Sequence, residues 1–288
     1  MSVPGGHEQR APRATEGGPE RLDLALVARG LARSRSAART AVSEGRVTVD
    51  GTAAKRVSQL VGPDALVQVD RGTGWVGRGA GKLDAALDAF GIDVSARAAL
   101  DLGASTGGFT QVLLERGAKR VVALDVGHDQ LAPELRHDPR VVVVEGENAR
   151  TLTAARLAEL SGSTEAPGVV VADLSFISLT LVLPAIAAVT GADTDVVLLI
   201  KPQFEVGRGS VRGGLVRDVG ERERAVRAVL DTASAAGLGT AGLIPSPVVG
   251  THGNRESLVH LHPMRGTDPS EWTSSIGRAV RPDPGEVG

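Results

Sequence analysis

From Leu83 onward, short aliphatic and β-branched runs alternate with helix-patterned stretches, and this alternation narrows the choice of folds more than any other feature. Strands separated by helices build a parallel sheet covered on both faces, where each strand reads as a continuous apolar run. The expected strands are 98–102, 121–124, 141–144, 169–172, 196–200, 238–244 and 257–261, with helices expected at 109–116, 179–189 and 221–236. Five of these runs carry or lead into a charged residue: Asp101, Asp125, Glu145, Asp173 and Lys201. Open α/β sheets bind ligands at the carboxyl ends of their strands, so these charges are expected to converge on one crevice.

The first strand runs into a glycine-rich turn that opens a helix, Asp101-Leu102-Gly103-Ala104-Ser105-Thr106-Gly107-Gly108-Phe109-Thr110. Glycines let a backbone approach a ligand closely, and a helix N-terminus offers unpaired N–H groups. The next strand ends in Asp125, 22 residues after Gly103, where a carboxylate can accept both hydroxyls of a ribose. The pair points to a cofactor containing a nucleoside, and the spacing alone leaves dinucleotides and S-adenosylmethionine both open. The chain continues with a helix, a strand, a turn and a final strand, an ending that suits methyltransferase sheets, in which the last strand is inserted antiparallel.

Ahead of the α/β region lies a smaller and more basic one. Between Arg21 and Arg56 there are eight Lys/Arg against three acids, a local charge of +5 in a chain whose formal net charge is -2. Leu24, Val27 and Ala28 suggest one short helix face and Ala37, Ala38, Ala41 and Val42 another. A turn at Asp50-Gly51 suggests a hairpin, with a further strand at 66–69. The expected boundaries are a tail at 1–20, a small α+β domain at 21–70, a linker at 71–82, the α/β domain at 83–264 and a second tail at 265–288. With no cysteine, disulfides, thiolate metal sites and cysteine nucleophiles are excluded. The six histidines show no metal-ligand spacing, so no metal is expected. No apolar stretch reads as a signal or membrane span, and a monomeric cytoplasmic protein is expected.

The stretch from Leu83 to about His262 resembles the ribose 2′-O-methyltransferases of the FtsJ class. The chain from Arg21 onward resembles the TlyA/haemolysin A family of rRNA cytidine 2′-O-methyltransferases. The matching segments include RLDLALVARGLARSRSAA, GRVTVDG, LDLGASTGGFT, ALDVGHDQL, VVADLSFISL, LLIKPQFEVGR, GGLVRD and THGNRES. The resemblance implies a Rossmann-like class I methyltransferase: a seven-stranded α/β sheet with its last strand antiparallel, preceded by an S4-like α+β RNA-binding domain. It implies S-adenosylmethionine as cofactor, held by Asp101, Gly103, Ala104, Ser105, Thr106, Gly107, Gly108, Phe109, Asp125, Val126, Asn148, Asp173 and Leu174. It also implies a tetrad of Lys82, Asp173, Lys201 and Glu256.

A ribose hydroxyl holds its proton far above neutral pH, so methyl transfer to it needs a positioned base, and Lys201, leaving the apolar strand VVLLI, is assigned that role. Asp173 and Glu256 would orient the lysines and the hydroxyl. Phe176 and Phe204 follow Asp173 and Lys201 closely enough to stack on a target base or to fill the core. Ribosomal RNA is the implied partner, gripped through Arg21, Arg29, Ser34, Arg35, Arg39, Arg46 and Lys55, with Arg78 bridging toward the crevice. Two competing readings are a non-catalytic ribosome-assembly factor and, against the absence of any apolar hairpin or long basic amphipathic helix, a membrane-lysing toxin.

Overall fold

A computed structural model describes residues 18–32, 35–43, 45, 47–69, 75–77, 79–248, 250 and 253–281. The chain divides between Gly74 and Trp75 into two compact units. In the first, β1 (Glu20–Arg21) runs into α1 (Leu22–Ala28), followed by α2 (Arg35–Ser43), β2 (Val47–Val49), β3 (Thr52–Ala53), β4 (Leu60–Val61) and β5 (Val67–Val69). β2 lies between β3 and β5 in an antiparallel sheet, and β1 pairs with β4. The β2–β3 connection is the expected two-residue turn, with Asp50 and Gly51 both at positive φ (49° and 77°), the twist that joins adjacent antiparallel strands.

Two expectations for this unit change. The buried face of α1 is Leu22, Ala25 and Leu26, while Leu24 and Val27 are 40% and 36% exposed and Ala28 faces solvent. Both sets have the same i, i+3, i+4 spacing, so periodicity alone could not choose between them. The arginines are also partly committed to the fold. Asp23 is buried, and Arg21 and Arg35 each pair with its carboxylate at 3.0 Å. The Arg21 hydrogen bond, with that of Arg35, outweighs burial and holds the Asp23 carboxyl at about 2. Arg29 donates to the carbonyls of Ala65 at 2.7 Å and Gly62 at 2.8 Å, tying α1 to the far end of the unit. Arg39 and Lys55 are exposed, as is Arg56. Ser34, Arg46 and Arg78 lie outside the described residues.

The second unit alternates as the sequence suggests: α3 (Ala80–Phe90), β6 (Ala98–Leu102), α4 (Gly108–Glu115), β7 (Arg120–Asp125), α5 (Pro133–Arg136), β8 (Val141–Glu145), α6 (Ala154–Ser161), β9 (Val169–Ala172), α7 (Leu183–Val189), β10 (Asp195–Ile200), α8 (Pro202–Glu205), α9 (Val219–Ala235), β11 (Gly239–Pro245), β12 (Ser257–His262) and α10 (Thr273–Val280). The seven strands lie in the order β11-β12-β10-β9-β6-β7-β8, and β12 is antiparallel to both of its neighbours. Side chains two apart share a face. Val169, Val171, Val197 and Leu199 therefore pack toward α3 and α4, while Val170, Ala172, Val196 and Leu198 pack toward α7 and α9. This double burial explains why the strands read as unbroken valine and leucine runs.

At the amino end of β10, Asp195 is 4% exposed and surrounded by hydrogen-bond donors. Its Oδ2 accepts from Arg97 and its Oδ1 from His260 and Arg265, all at 2.8 Å. The unit begins earlier and ends later than its expected limits. Trp75 and Val76 already pack on the α3/α4 side, which shortens the linker. Beyond residue 264, Thr267 pairs with Thr240, and Ile276, Ala279 and Val280 of α10 are buried in the other core. The second tail is therefore structure as far as Arg281. Its short apolar stripe is flanked by proline, glycine and charge, which obscured it in the sequence. Among the described residues no helix is long and apolar enough to cross a membrane.

Candidate active site

The turn after β6 is shaped by two backbone donations: Gly103 and Ala104 both give their N–H to the Leu124 carbonyl, at 2.8 and 3.1 Å. Gly103 has φ 81°, and a Cβ there would come within 2.9 Å of Leu174 and 3.1 Å of the Asp173 carbonyl oxygen. A side chain there would be strained by the positive φ and crowd the Asp173 carbonyl, so glycine suits the gap between the ends of β6 and β9. At the end of β7, the Asp125 carboxylate accepts from Gly127 N at 2.7 Å and from Ser105 N at 2.9 Å. Each oxygen keeps a lone pair for a ligand hydroxyl.

These residues border a cavity of about 560 Å³ at the carboxyl ends of β6, β7 and β9. Of the expected cofactor residues, Gly103, Ser105, Asp125, Val126, Asn148, Asp173 and Leu174 line it. Val126 is 68% exposed at the rim of the cavity. Asn148 also caps a short 3-10 turn, its Oδ1 accepting from Arg150 N at 3.0 Å, which leaves its amide hydrogens to donate. Ala104, Thr106, Gly107, Gly108 and Phe109 form the turn and the start of α4 behind the cavity wall and do not line it. Asp101 lies beneath the turn, wholly buried, its Oδ2 accepting from Thr110 Oγ1 at 2.7 Å and its Oδ1 without a partner. Burial, reinforced by the charges of Asp173 and Asp125, pushes the Asp101 carboxyl up to about 7.

The four tetrad residues form two ion pairs. Lys82, on the first turn of α3, donates to Glu256 Oε2 at 2.5 Å, with side chains 9% and 3% exposed. α3 is held in place by its buried Leu83, Ala86 and Leu87, and by Arg116 reaching Asp84 and Asp88. Lys201 Nζ lies 2.6 Å from Asp173 Oδ1 and donates to Ser175 Oγ at 2.8 Å. The pairs are neighbours by register: Ile200 opposes Ser257, so the residues just outside that rung, Lys201 and Glu256, come side by side. Gly79 links them from the other direction, since a Cβ there would sit 3.2 Å from Asp173 Oδ2.

Sequence reasoning missed Ser175, Gln130, Glu147, Ile177 and Val182, which also line the cavity. It missed Glu205 as well. This half-buried carboxylate on α8 accepts from Leu179 N at 2.9 Å and Ser178 Oγ at 2.5 Å, clamping the loop that carries Ser175 and Phe176 to the segment that carries Lys201. Burial pushes its carboxyl up. Only the acid four residues after Lys201 signalled it. Phe176 is 92% exposed, has φ 65° and packs its ring 5.3 Å from that of Phe204. A bulky residue at positive φ costs about 1 to 3 kcal/mol and persists where its surroundings hold it, most often at functional sites.

Residues 75–262 match the FtsJ-like methyltransferase family, and residues 20–67 match the S4 domain. The chain is 46% identical over 269 residues to the 16S/23S rRNA (cytidine-2'-O)-methyltransferase TlyA of Mycobacterium tuberculosis, covering 92% of this chain and 98% of that one. It is 39% identical to hemolysin A of Brachyspira hyodysenteriae, covering 84% and 99%. A solved Streptococcus thermophilus structure, described as a candidate hemolysin, superposes with a TM-score of 0.71 at 35% identity, covering 91% of this chain and 94% of that one.

Proposed function

We propose, for a chain that belongs to the FtsJ-like methyltransferase family and carries an S4 domain ahead of it, that the reaction is methylation of a cytidine 2′-hydroxyl in ribosomal RNA, in one or both subunits. The cofactor of the family is S-adenosylmethionine, which supplies an electrophilic methyl group. Asp125 suits its ribose hydroxyls, Val126 and Asn148 its adenine, and the close Gly103 turn its remaining length. The observation that carries the reading is the position of Lys201: its two partners, Asp173 and Ser175, line the same cavity as Asp125.

The methyl acceptor must give up a proton as its oxygen attacks, and Lys201 Nζ is the group that takes it. The ion pair with Asp173 at 2.6 Å positions Nζ, which takes the proton in its neutral form. Ser175 holds Nζ from another direction. The buried Lys82–Glu256 pair keeps α3 and the start of β12 fixed beside Lys201. Phe176 stacks on the target base, which explains an exposed phenyl ring at the rim of the cavity. The N-terminal unit grips RNA by its phosphates and shape, in the cytoplasm where ribosomal subunits are found.

The test is transfer of tritiated methyl from S-adenosylmethionine to purified subunits, followed by mapping of the modified nucleotide. A 2′-O-methylcytidine is expected. Methyl on a base, or no incorporation with bound cofactor, would overturn the reading. Removing residues 1–70 is expected to leave cofactor binding intact and abolish transfer to subunits.

A further inference from the structure

The loop that leaves the site after Lys201 carries charge that the reaction above does not use. From Val206 to Arg217 the sequence VGRGSVRGGLVR holds three arginines and no acid. Arg212 and Leu215 exchange backbone hydrogen bonds of 3.0 and 3.1 Å across Gly213 and Gly214, whose φ values of 59° and 81° make a tight hairpin turn. Two buried side chains anchor the far half of the loop. Asn254 accepts from Val216 N at 3.2 Å and donates to the Gly214 carbonyl at 2.6 Å. Arg222 donates to the carbonyls of Val216 and Arg217 at 3.0 and 3.2 Å. The loop thus has a fixed shape, and its anchor Asn254 lies two residues before Glu256.

Exposed Arg212 and Arg217, with Arg224 of α9, line a groove of about 370 Å³ that also includes Asp218 and Glu221. Both acids are occupied: Asp218 caps α9 by accepting from Glu221 N at 2.8 Å, and Glu221 pairs with Arg224 at 2.6 Å. Arg212 and Arg217 have no side-chain hydrogen bond or ion pair among the described residues. Unpaired guanidinium forks on a shaped surface match phosphate oxygens, which accept two N–H donors at once.

We propose that this groove binds phosphates of the substrate RNA backbone, giving the methyltransferase unit its own RNA grip in addition to that of the N-terminal unit. The inference rests on the RNA methyltransferase reading above. The loop departs from the segment that bears Lys201 and is tied to the one that bears Glu256, so RNA held here is held next to the strand ends that carry the chemistry.

The test compares the full-length protein with the double variant Arg212→Ala/Arg217→Ala and with Arg212→Lys/Arg217→Lys, both checked for fold by circular dichroism. For the alanine pair, KM for ribosomal subunits is expected to rise roughly tenfold at physiological salt, with S-adenosylmethionine affinity unchanged. The slope of log binding constant against log salt is expected to flatten by roughly 1.4 to 1.8, the loss of two phosphate contacts. The lysine pair keeps the charge and is expected to keep most of the slope. An alanine pair with wild-type KM and slope would overturn the groove, as would a lysine pair whose salt slope is flattened as much as that of the alanine pair. A wild-type protein that transfers no methyl to subunits would instead overturn the underlying reading.

Discussion

The strands β10 and β12 carry a buried charge cluster at each end, and the two clusters are built differently. At the amino end of β10, one carboxylate, Asp195, is 4% exposed and takes three donors, from Arg97, His260 and Arg265. At the carboxyl end, two lysines face two carboxylates one to one, and Asp173 borders a cavity. A carboxylate buried among its own donors is closed to a substrate and serves as a clasp between strands. A cluster of matched pairs beside an open cavity can exchange a partner for a ligand. Where burial and charge alone would call both functional, the contrast favours the carboxyl-end cluster as the reactive one in the function proposed above.

The strongest way to break the contrast is Lys201→Ala. Methyl transfer to subunits is expected to fall by about 10² to 10⁴, with cofactor affinity and fold retained. Near wild-type transfer would make the carboxyl-end cluster as structural as the other. The mirror experiment is Asp195→Ala. It is expected to cost about 3 kcal/mol of unfolding free energy, the low end for a broken buried pair because Arg265 is 64% exposed, and to leave transfer per folded molecule unchanged.

The Asp195 clasp also has an acid signature. Burial pushes its carboxyl up, but the hydrogen bonds from His260 and Arg97 outweigh this and hold it at about 2, below the unfolded value of 3.8. The contribution is complete above about pH 4 and is lost as pH falls toward 2. Wild-type and Asp195→Ala stabilities, followed by denaturant titration, should therefore converge over that interval.

Asp125→Ala sharpens the boundary of the reactive end. Losing a charged acceptor is expected to weaken S-adenosylmethionine binding by about 1.5 to 3 kcal/mol in calorimetry, without loss of fold. The smallest effect belongs to Glu205→Gln, which keeps the shape of the clamp on Ser178 and Leu179 but not its charge. A drop in kcat of roughly fivefold, with cofactor affinity unchanged, is expected from about 1 kcal/mol of weakened loop positioning. An unchanged kcat would show that the Ser175–Phe176 loop holds itself.

What could be read in advance follows the range of the forces involved. Strands buried on both faces declare themselves as apolar runs, which is why 98–102 and 169–172 coincide with β6 and β9. The Gly103 turn and Asp125 were legible because a local backbone constraint fixes both. Arg21, Arg29 and Arg35 were read only as RNA ligands because their internal partners, Asp23 and the carbonyls of Gly62 and Ala65, are set by tertiary contacts. Ser175 and Glu205 were hidden for the same reason: each matters through a partner on a distant segment of the chain. The α10 stripe was too short and too polar at its flanks to stand out.

The insertion of β12 between β10 and β11 imposes an order in time. A nascent chain emerges amino end first, so β6 through β10 can pair while β12 is still to be made. Until Ser257–His262 arrive, β10 presents an unpaired edge of the kind that invites pairing with other chains. Lys82 also waits for Glu256 through the same interval. The last strand of the sheet thus seals an aggregation-prone edge and completes the second ion pair in one step, so the chain gains its full tetrad only when its sheet is closed to other strands.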